Sequence, residues 1–167
     1  MQRELRDYYN KNSKPVGKTY YKGDPFPEGL YPMVVMVCIQ NSKGELLMQK
    51  RVPSKGGDWG VTGGHPKAGE TPIEGMLTEI KEEIGLTVSA DDLILFSEGF
   101  DGRHCYKQYY LKLDIDPSEL TIQEEELSEV KWFSISELDK MAETGELNPN
   151  QVACFVKCKQ YLNQKDK

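Results

Sequence analysis

Residues 64–86 constrain this chain more than any other stretch. They open as Gly64-His65-Pro66-Lys67-Ala68-Gly69-Glu70, continue through Thr71-Pro72-Ile73-Glu74, and close as Glu79-Ile80-Lys81-Glu82-Glu83-Ile84-Gly85-Leu86. Thr71 is a good N-cap, Pro72 suits the first helical position, and Glu74 stands three residues past the cap. A helix is therefore predicted to start at 71–72, with Gly85 as a stop just past its end. Within it Glu79, Glu82 and Glu83 fall at i, i+3 and i+4, on one face, with Cβ atoms roughly 5–6 Å apart. Carboxylates this close repel one another unless protons or a cation intervene. Oxygen ligands without histidine or cysteine partners favour Mg²⁺ or Mn²⁺ over Zn²⁺. A glycine loop leading into such a helix suits a divalent metal that grips a diphosphate. The plain alternative for Glu-x-x-Glu-Glu alone is a solvated helix face. Here the glycine loop, Glu70 and Gly85 would have to coincide with it by accident.

The remaining composition fits a small enzyme. The 167 residues predict a single domain over 1–167, long enough to bury a real core. Hydrophobic residues make up 38% and charged residues 29%, a globular rather than a disordered balance. A net charge of −6 argues against non-specific binding to a nucleic-acid polymer, while leaving a nucleotide carried with its metal open. No apolar run approaches the roughly 20 residues of a membrane span. The opening residues carry no signal-peptide core, so a cytoplasmic protein is expected. The four cysteines, Cys38, Cys105, Cys154 and Cys158, lack zinc-type spacing with His65 and His104. Cys154 and Cys158 lie four apart on a predicted helix and read first as a packed thiol pair, with metal capture or redox sensing as the weaker reading.

Turn and periodicity signals place the other elements. Residues 5–9 and 17–22 read as short strands in an N-terminal extension over 1–29. Met33–Gln40 is a β-rich apolar run that Asn41–Gly44 turns into a strand over Glu45–Arg51. Trp59–Thr62 reads as one short extended segment before the helix. Asp92–Phe100 and His104–Asp114 form a hairpin around Asp101-Gly102, and 129–133 is a further strand. Ser134 to Glu137 opens a helix to about Glu143, and 150–163 holds a C-terminal amphipathic helix. Strands interrupted by helices predict an α/β (α+β) sandwich with a mixed sheet.

Residues 64–86 also resemble the Nudix box, Gly-x5-Glu-x7-Arg-Glu-U-x-Glu-Glu-x-Gly-U, with U a bulky aliphatic residue. Eight of its nine specified positions match. The resemblance implies a Nudix-type α/β/α sandwich with a loop-helix-loop catalytic motif, acting on a diphosphate linked to another group with Mg²⁺. It implies Glu79, Glu82 and Glu83 as metal ligands, with the carbonyl of Gly63 as a further one. Gly64, Glu70 and Gly85 take structural roles in the box. One of the glutamates, or a glutamate outside the box, would activate water. Metal ions bridging phosphate oxygens would stabilise the developing charge.

The departure is Thr78, where the family carries an arginine that pairs with the carboxylate at the position of Glu70. Threonine cannot form that ion pair. Lys67 or Lys81 substitutes, or backbone amides hold Glu70, or the site is less preorganised.

Flanking segments are similar to Nudix proteins related to isopentenyl diphosphate isomerase. They include Asn41–Arg51, Trp59–His65 and Val130–Ser134. That isomerase is the nearest rival activity. Its catalytic cysteine would fall where this chain has Gly63, and of its metal-binding histidines only His65 has a counterpart. Without a thiol, proton transfer to an alkene carbon has no obvious agent. Arg51 and Lys55 fall where isomerase relatives hold the diphosphate, and a basic pair facing an acidic metal site suits that role. The other reading is an edge strand decorated with cations. Glu126 is the first choice for a general base outside the box, from the run Glu124-Glu125-Glu126. His65 reads equally as a structural hydrogen-bonding group or a substrate contact. Trp59 and Trp132 read as core. The expected activity is metal-dependent hydrolysis of a nucleoside diphosphate-X or related organic diphosphate. The alternatives are isomerase-like activity and a non-catalytic module that binds a diphosphate metabolite. Substrate identity stays open, and a homodimer through the N-terminal strands is one arrangement.

Overall fold

The computed structural model describes residues 3–166. The strands are β1 (Leu5–Tyr9), β2 (Pro15–Tyr21), β3 (Met33–Gln40), β4 (Leu46–Arg51), β5 (Trp59–Gly60), β6 (Thr62–Gly64), β7 (Ile94–Phe100), β8 (Cys105–Lys112) and β9 (Leu127–Phe133). The helices are α1 (Pro72–Ile84), α2 (Ile135–Thr144) and α3 (Val152–Lys165).

Alternation along the central strands sets the layers. β3 turns Met33, Val35, Val37 and Ile39 to one face, and Met36 and Cys38 to the other. β4 and β8 repeat the split: Leu47, Tyr109 and Leu111 on the first face, Leu46, Met48 and Tyr110 on the second. α1 covers the first face with Met76, Ile80 and Ile84, each 0% exposed and each contributing about 1.5–3 kcal/mol by burial. α2 and α3 cover the second with Leu138, Met141, Phe155 and Leu162. The outcome is the predicted α/β/α arrangement around a mixed seven-stranded sheet. β3 and β8 run parallel at its centre, in the order β5-β4-β3-β8-β7, with β6 beside β3 and β9 beside β4.

One expectation is corrected where it matters most. The expected β3–β4 hairpin closes at a single pair, Gln40 with Leu46. Beyond it the strands splay. β6 takes the edge of β3, pairing Val35 with Gly64, Met36 with Gly63 and Val37 with Thr62. β5 takes the edge of β4, pairing Gln49 with Gly60 and Lys50 with Trp59. The segment expected as one strand over Trp59–Thr62 is thus two short strands with different partners, and the chain crosses the wedge at Val61. That pairing is non-local, so no periodicity in 59–64 announces it. A smaller correction concerns α3: residues 149–151 form a 3₁₀ turn capped by Asn148, and the helix proper starts at Val152.

β1 and β2 form a separate two-stranded sheet that props the glycine loop. Tyr9 and Tyr31 exchange backbone hydrogen bonds at 2.9 and 2.8 Å. The Ala68 N–H donates to Leu5 O at 2.8 Å, and the Gly69 N–H donates to Asp7 Oδ2 at 2.9 Å. The four cysteines are free and buried. Hydrogen bonds the Cys38 thiol makes to Cys154 and Cys158, together with burial, hold it well above its ordinary pKa. Trp59 is core, edge-on to Phe133 at 4.8 Å, and Trp132 packs against the core with its Nε1–H donating to Ile115 O at 2.9 Å. Among the described residues no helix is long and apolar enough to cross a membrane.

Candidate active site

The site is built where the glycine loop meets the wedge. Thr71 caps α1 in a full capping box with Glu74, and Gly85 ends it at φ 73°, its N–H donating to Lys81 O at 3.1 Å. Those two ends fix its length, and Met76, Ile80 and Ile84, buried against the sheet, fix its rotation, so Glu79 and Glu83 meet β6. A Cβ on Gly64 would lie 2.6 Å from Glu79 Oε1, so the bare backbone there is what lets the carboxylate approach.

Two connected spaces open from this point. An outer cleft of about 780 Å³ is lined by Glu79, Glu82, Glu83, His65 and residues of the N-terminal hairpin. An inner compartment of about 250 Å³ lies in the wedge between β3 and β4. Arg51, Gly63, Gly64, Glu83 and Glu126 line both. Most of the residues singled out by sequence therefore converge. Lys55 does not line either space; it reaches the site through Glu126, with Nζ 3.1 Å from Oε1. The Val52 N–H donates to Glu126 O at 3.0 Å, which pins the turn before β9 to the end of β4. Arg51 has no carboxylate partner among the described residues.

The three box glutamates share the cleft without forming a ready cage. Among the described residues no three His, Cys, Asp or Glu side chains close on one point. Glu82 is drawn aside by the Lys67 ammonium, to which it is ion-paired. Burial pulls the pKa of Lys67 down, but that hydrogen bond and the charges of Glu82, Glu4 and Glu70 lift it above its ordinary value overall. Glu83 accepts from Gln49 Nε2 at 2.8 Å and from the Gly63 N–H. Burial, then the charges of Glu83 and Glu82, raise Glu79 to about 8. Burial raises Glu83 to about 7 against the lowering effect of Gln49 and the Gly63 N–H. This donor set fits a hard divalent cation. It is all oxygen, and burial first, then neighbouring carboxylate charge, raises Glu79 and Glu83, an effect a bound cation would oppose.

Two residues escaped the sequence reading. Gln49 is 7% exposed and Thr62 is 5% exposed, and the Thr62 hydroxyl donates to Gln49 Oε1 at 2.8 Å. That bond fixes the amide so that Nε2 faces Glu83. The signal was a polar residue in an otherwise apolar strand, Leu46-Leu47-Met48-Gln49, which has meaning only once β6 is beside it. Thr78 leaves Glu70 held in part by a backbone amide, one of the alternatives weighed for it, and in part by Thr78 itself. Its own hydroxyl donates to Glu70 Oε2, and the Lys67 N–H donates to Oε1 at 2.7 Å. Lys81 instead donates to Thr87 at 3.0 Å. His65 is lowered to about 4 by burial, then by the charges of Arg6, His104 and Lys22, so its ring is neutral near pH 7.

Comparison with known proteins agrees with this geometry. The NUDIX domain family matches residues 30–154. The chain belongs to the Nudix hydrolase family. An uncharacterized Nudix hydrolase of Listeria monocytogenes is 32% identical over 152 residues, covering 86% of this chain and 87% of that protein. A crystal structure from Deinococcus radiodurans superposes with a TM-score of 0.71 at 24% identity, covering 86% of this chain and 91% of the other. The Nudix domain of NrtR from Shewanella oneidensis, solved with ADP ribose, superposes with a TM-score of 0.62 at 16% identity, covering 84% and 94%. At these identities the two structures establish the shared Nudix fold. Family membership carries acid-anhydride hydrolysis of the diphosphate type, and Nudix hydrolases in general use divalent metals.

Proposed function

We propose that this protein hydrolyses the diphosphate linkage of a nucleoside diphosphate-X or related organic diphosphate, with Mg²⁺ or Mn²⁺. The observation that carries this reading is the meeting of Glu79, Glu82, Glu83, Gly63, Glu126 and Arg51, which has no carboxylate partner among the described residues, on one cleft. Glu79, Glu82, Glu83 and the Gly63 carbonyl would hold the metal, after Glu82 turns away from Lys67. When bound, a divalent cation supplies Lewis-acid polarisation of phosphate oxygens and acidification of coordinated water. Arg51 takes phosphate oxygens, for which its planar fork of donors is suited. Glu126 accepts the proton of the attacking water, its backbone fixed by Val52 and its charge balanced by Lys55. His65, neutral, offers a hydrogen bond rather than a charge. The protein acts as a single Nudix domain over 1–167.

The isomerase alternative is less well supported. All four cysteines are buried, and none lines either space. The binding-module alternative draws on Lys67 occupying Glu82. Product release from a panel of diphosphate compounds with Mg²⁺, run beside Glu82→Gln, separates the readings. Hydrolysis predicts cleavage that falls by about 10²-fold or more in the variant, the scale of a lost transition-state charge contact. Isomerised product without hydrolysis would overturn the assignment. Mg²⁺-dependent binding with no turnover would move it to the binding module.

A further inference from the structure

The inner compartment shares one wall with the metal-binding face, and its other wall is built separately. β5 and the loop after α2 form its far side, and backbone pairs lock them together. Trp59 N donates to Glu146 O at 2.9 Å, and Asn148 N donates to Trp59 O at 2.8 Å. Arg51 N donates to Asp58 O at 2.9 Å, tying the same wall to β4. Gln151 joins it by accepting the Val61 N–H. The compartment is therefore preformed rather than a loop gap.

Its polar groups are unevenly satisfied. Asn148 Oδ1 accepts the Asn150 N–H at 2.9 Å, which orients the amide so that Nδ2 faces Asp58. That contact to Asp58 Oδ1 is long, 3.4 Å, and the carboxylate makes no other side-chain hydrogen bond or ion pair among the described residues. Asp58 is half-buried at the wall, a carboxylate that faces the compartment with acceptor oxygens. An under-satisfied carboxylate in a cavity asks for donors. Hydroxyl groups supply them, and an alkyl chain does not. Among the described residues no aromatic ring lines the compartment, so a planar base finds no aromatic stacking surface there. At about 250 Å³ it lies below the roughly 300–1,000 Å³ of a drug-sized site, so it takes one ring-sized group.

We infer that the inner compartment binds a hydroxylated, sugar-like group of the substrate, with Asp58 and Asn148 as its specificity-determining contacts. The diphosphate lies at the shared lining of Arg51, Glu83 and Gly63, and the rest of the substrate extends into the outer cleft. This rests on the proposed hydrolase reading and narrows its substrate to sugar-bearing diphosphates.

The test compares UDP-glucose and ADP-ribose with dimethylallyl diphosphate, on the wild-type protein and on Asp58→Ala and Asn148→Ala. Cleavage of a sugar diphosphate is expected at least about 10-fold more efficiently than of the alkyl diphosphate. Asp58→Ala is expected to lower kcat/KM for the sugar compound by about 10- to 100-fold, mainly through KM, the scale of a hydrogen bond to a charged group. The loss for the alkyl compound is expected to be several-fold smaller. Asp58→Asn, which keeps the shape and one acceptor, recovers part of the affinity. Equal efficiency on both classes, or an equal loss on both, overturns the inference while leaving the hydrolase reading intact. If the wild type cleaves nothing, the hydrolase reading falls. Calorimetric binding of UDP-glucose, weakened by Asp58→Ala and not matched by the alkyl diphosphate, would then still decide the compartment.

Discussion

Thr78→Val tests how this chain manages without the family arginine. Glu70 is held at both oxygens: Oε1 by the Lys67 N–H at 2.7 Å, and Oε2 by the Thr78 hydroxyl. The Glu70 N–H in turn donates to Lys67 O at 2.9 Å, so residues 67–70 form a closed turn tied to α1 by Thr78 and by the Lys67–Glu82 ion pair. Valine keeps the shape and removes the donor. A hydrogen bond to a charged group is worth about 1.5–3 kcal/mol, and water replaces part of it because both side chains are half-exposed. The expected cost is about 1–2 kcal/mol. For a domain of this size that corresponds to a fall in Tm of about 2–8 °C. Thr78→Ser keeps the hydroxyl and is expected to stay within about 0.5 kcal/mol of the wild type. Thermal and urea denaturation measure the stability difference. A Thr78→Val protein that melts within about 1 °C of the wild type, or a Thr78→Ser protein that falls as far as the valine variant, refutes the account.

Gly64→Ala puts a methyl group within van der Waals overlap of the Glu79 carboxylate. Displacing a ligand by an ångström is expected to lower turnover by about 10²-fold, with a far smaller change in Tm; normal turnover would contradict the placement. Gln49→Leu strips Glu83 of its 2.8 Å donor and orphans Thr62. It is expected to raise the Glu83 pKa further, to weaken Mn²⁺ binding by about 10-fold and to cost about 1–3 kcal/mol of stability. Unchanged Mn²⁺ affinity would show that the amide merely packs. The raised pKa values of Glu79, about 8, and Glu83, about 7, fix a sign. Both lie above the ordinary carboxylate value, so their stabilising contribution is complete below about pH 4.5 and is lost as pH rises through 7 and 8. Metal-free protein should therefore lose Tm across that window, Glu79→Gln should flatten the loss, and saturating Mn²⁺ should raise Tm more at pH 8.5 than at pH 5. A metal-free Tm that climbs over the same interval would falsify the assignment.

Local chemistry made the box helix legible. A cap at Thr71, a proline at Pro72, a glycine stop at Gly85 and glutamates at helical spacing depend on neighbours within a few residues, so their geometry is written in the order of the residues. Alternation in 33–40 and the turn at 101–102 likewise placed β3 and the β7–β8 hairpin. The structure's contribution begins where partners are distant in sequence. The splay of β3 from β4 arises because β6 and β5 compete for their edges, and no residue in either strand signals that competition. Gln49 becomes a support for Glu83 through a helix 34 positions away, and Asp58 faces Asn148 across 90. The sequence alone thus determined which carboxylates share a face, since positions i, i+3 and i+4 coincide on one side of a helix wherever it packs. Tertiary structure decided how open the site is, what holds each carboxylate and what the second compartment can accept. Those properties depend on which strands share an edge, and edge pairing is settled by the free energy of the whole sheet.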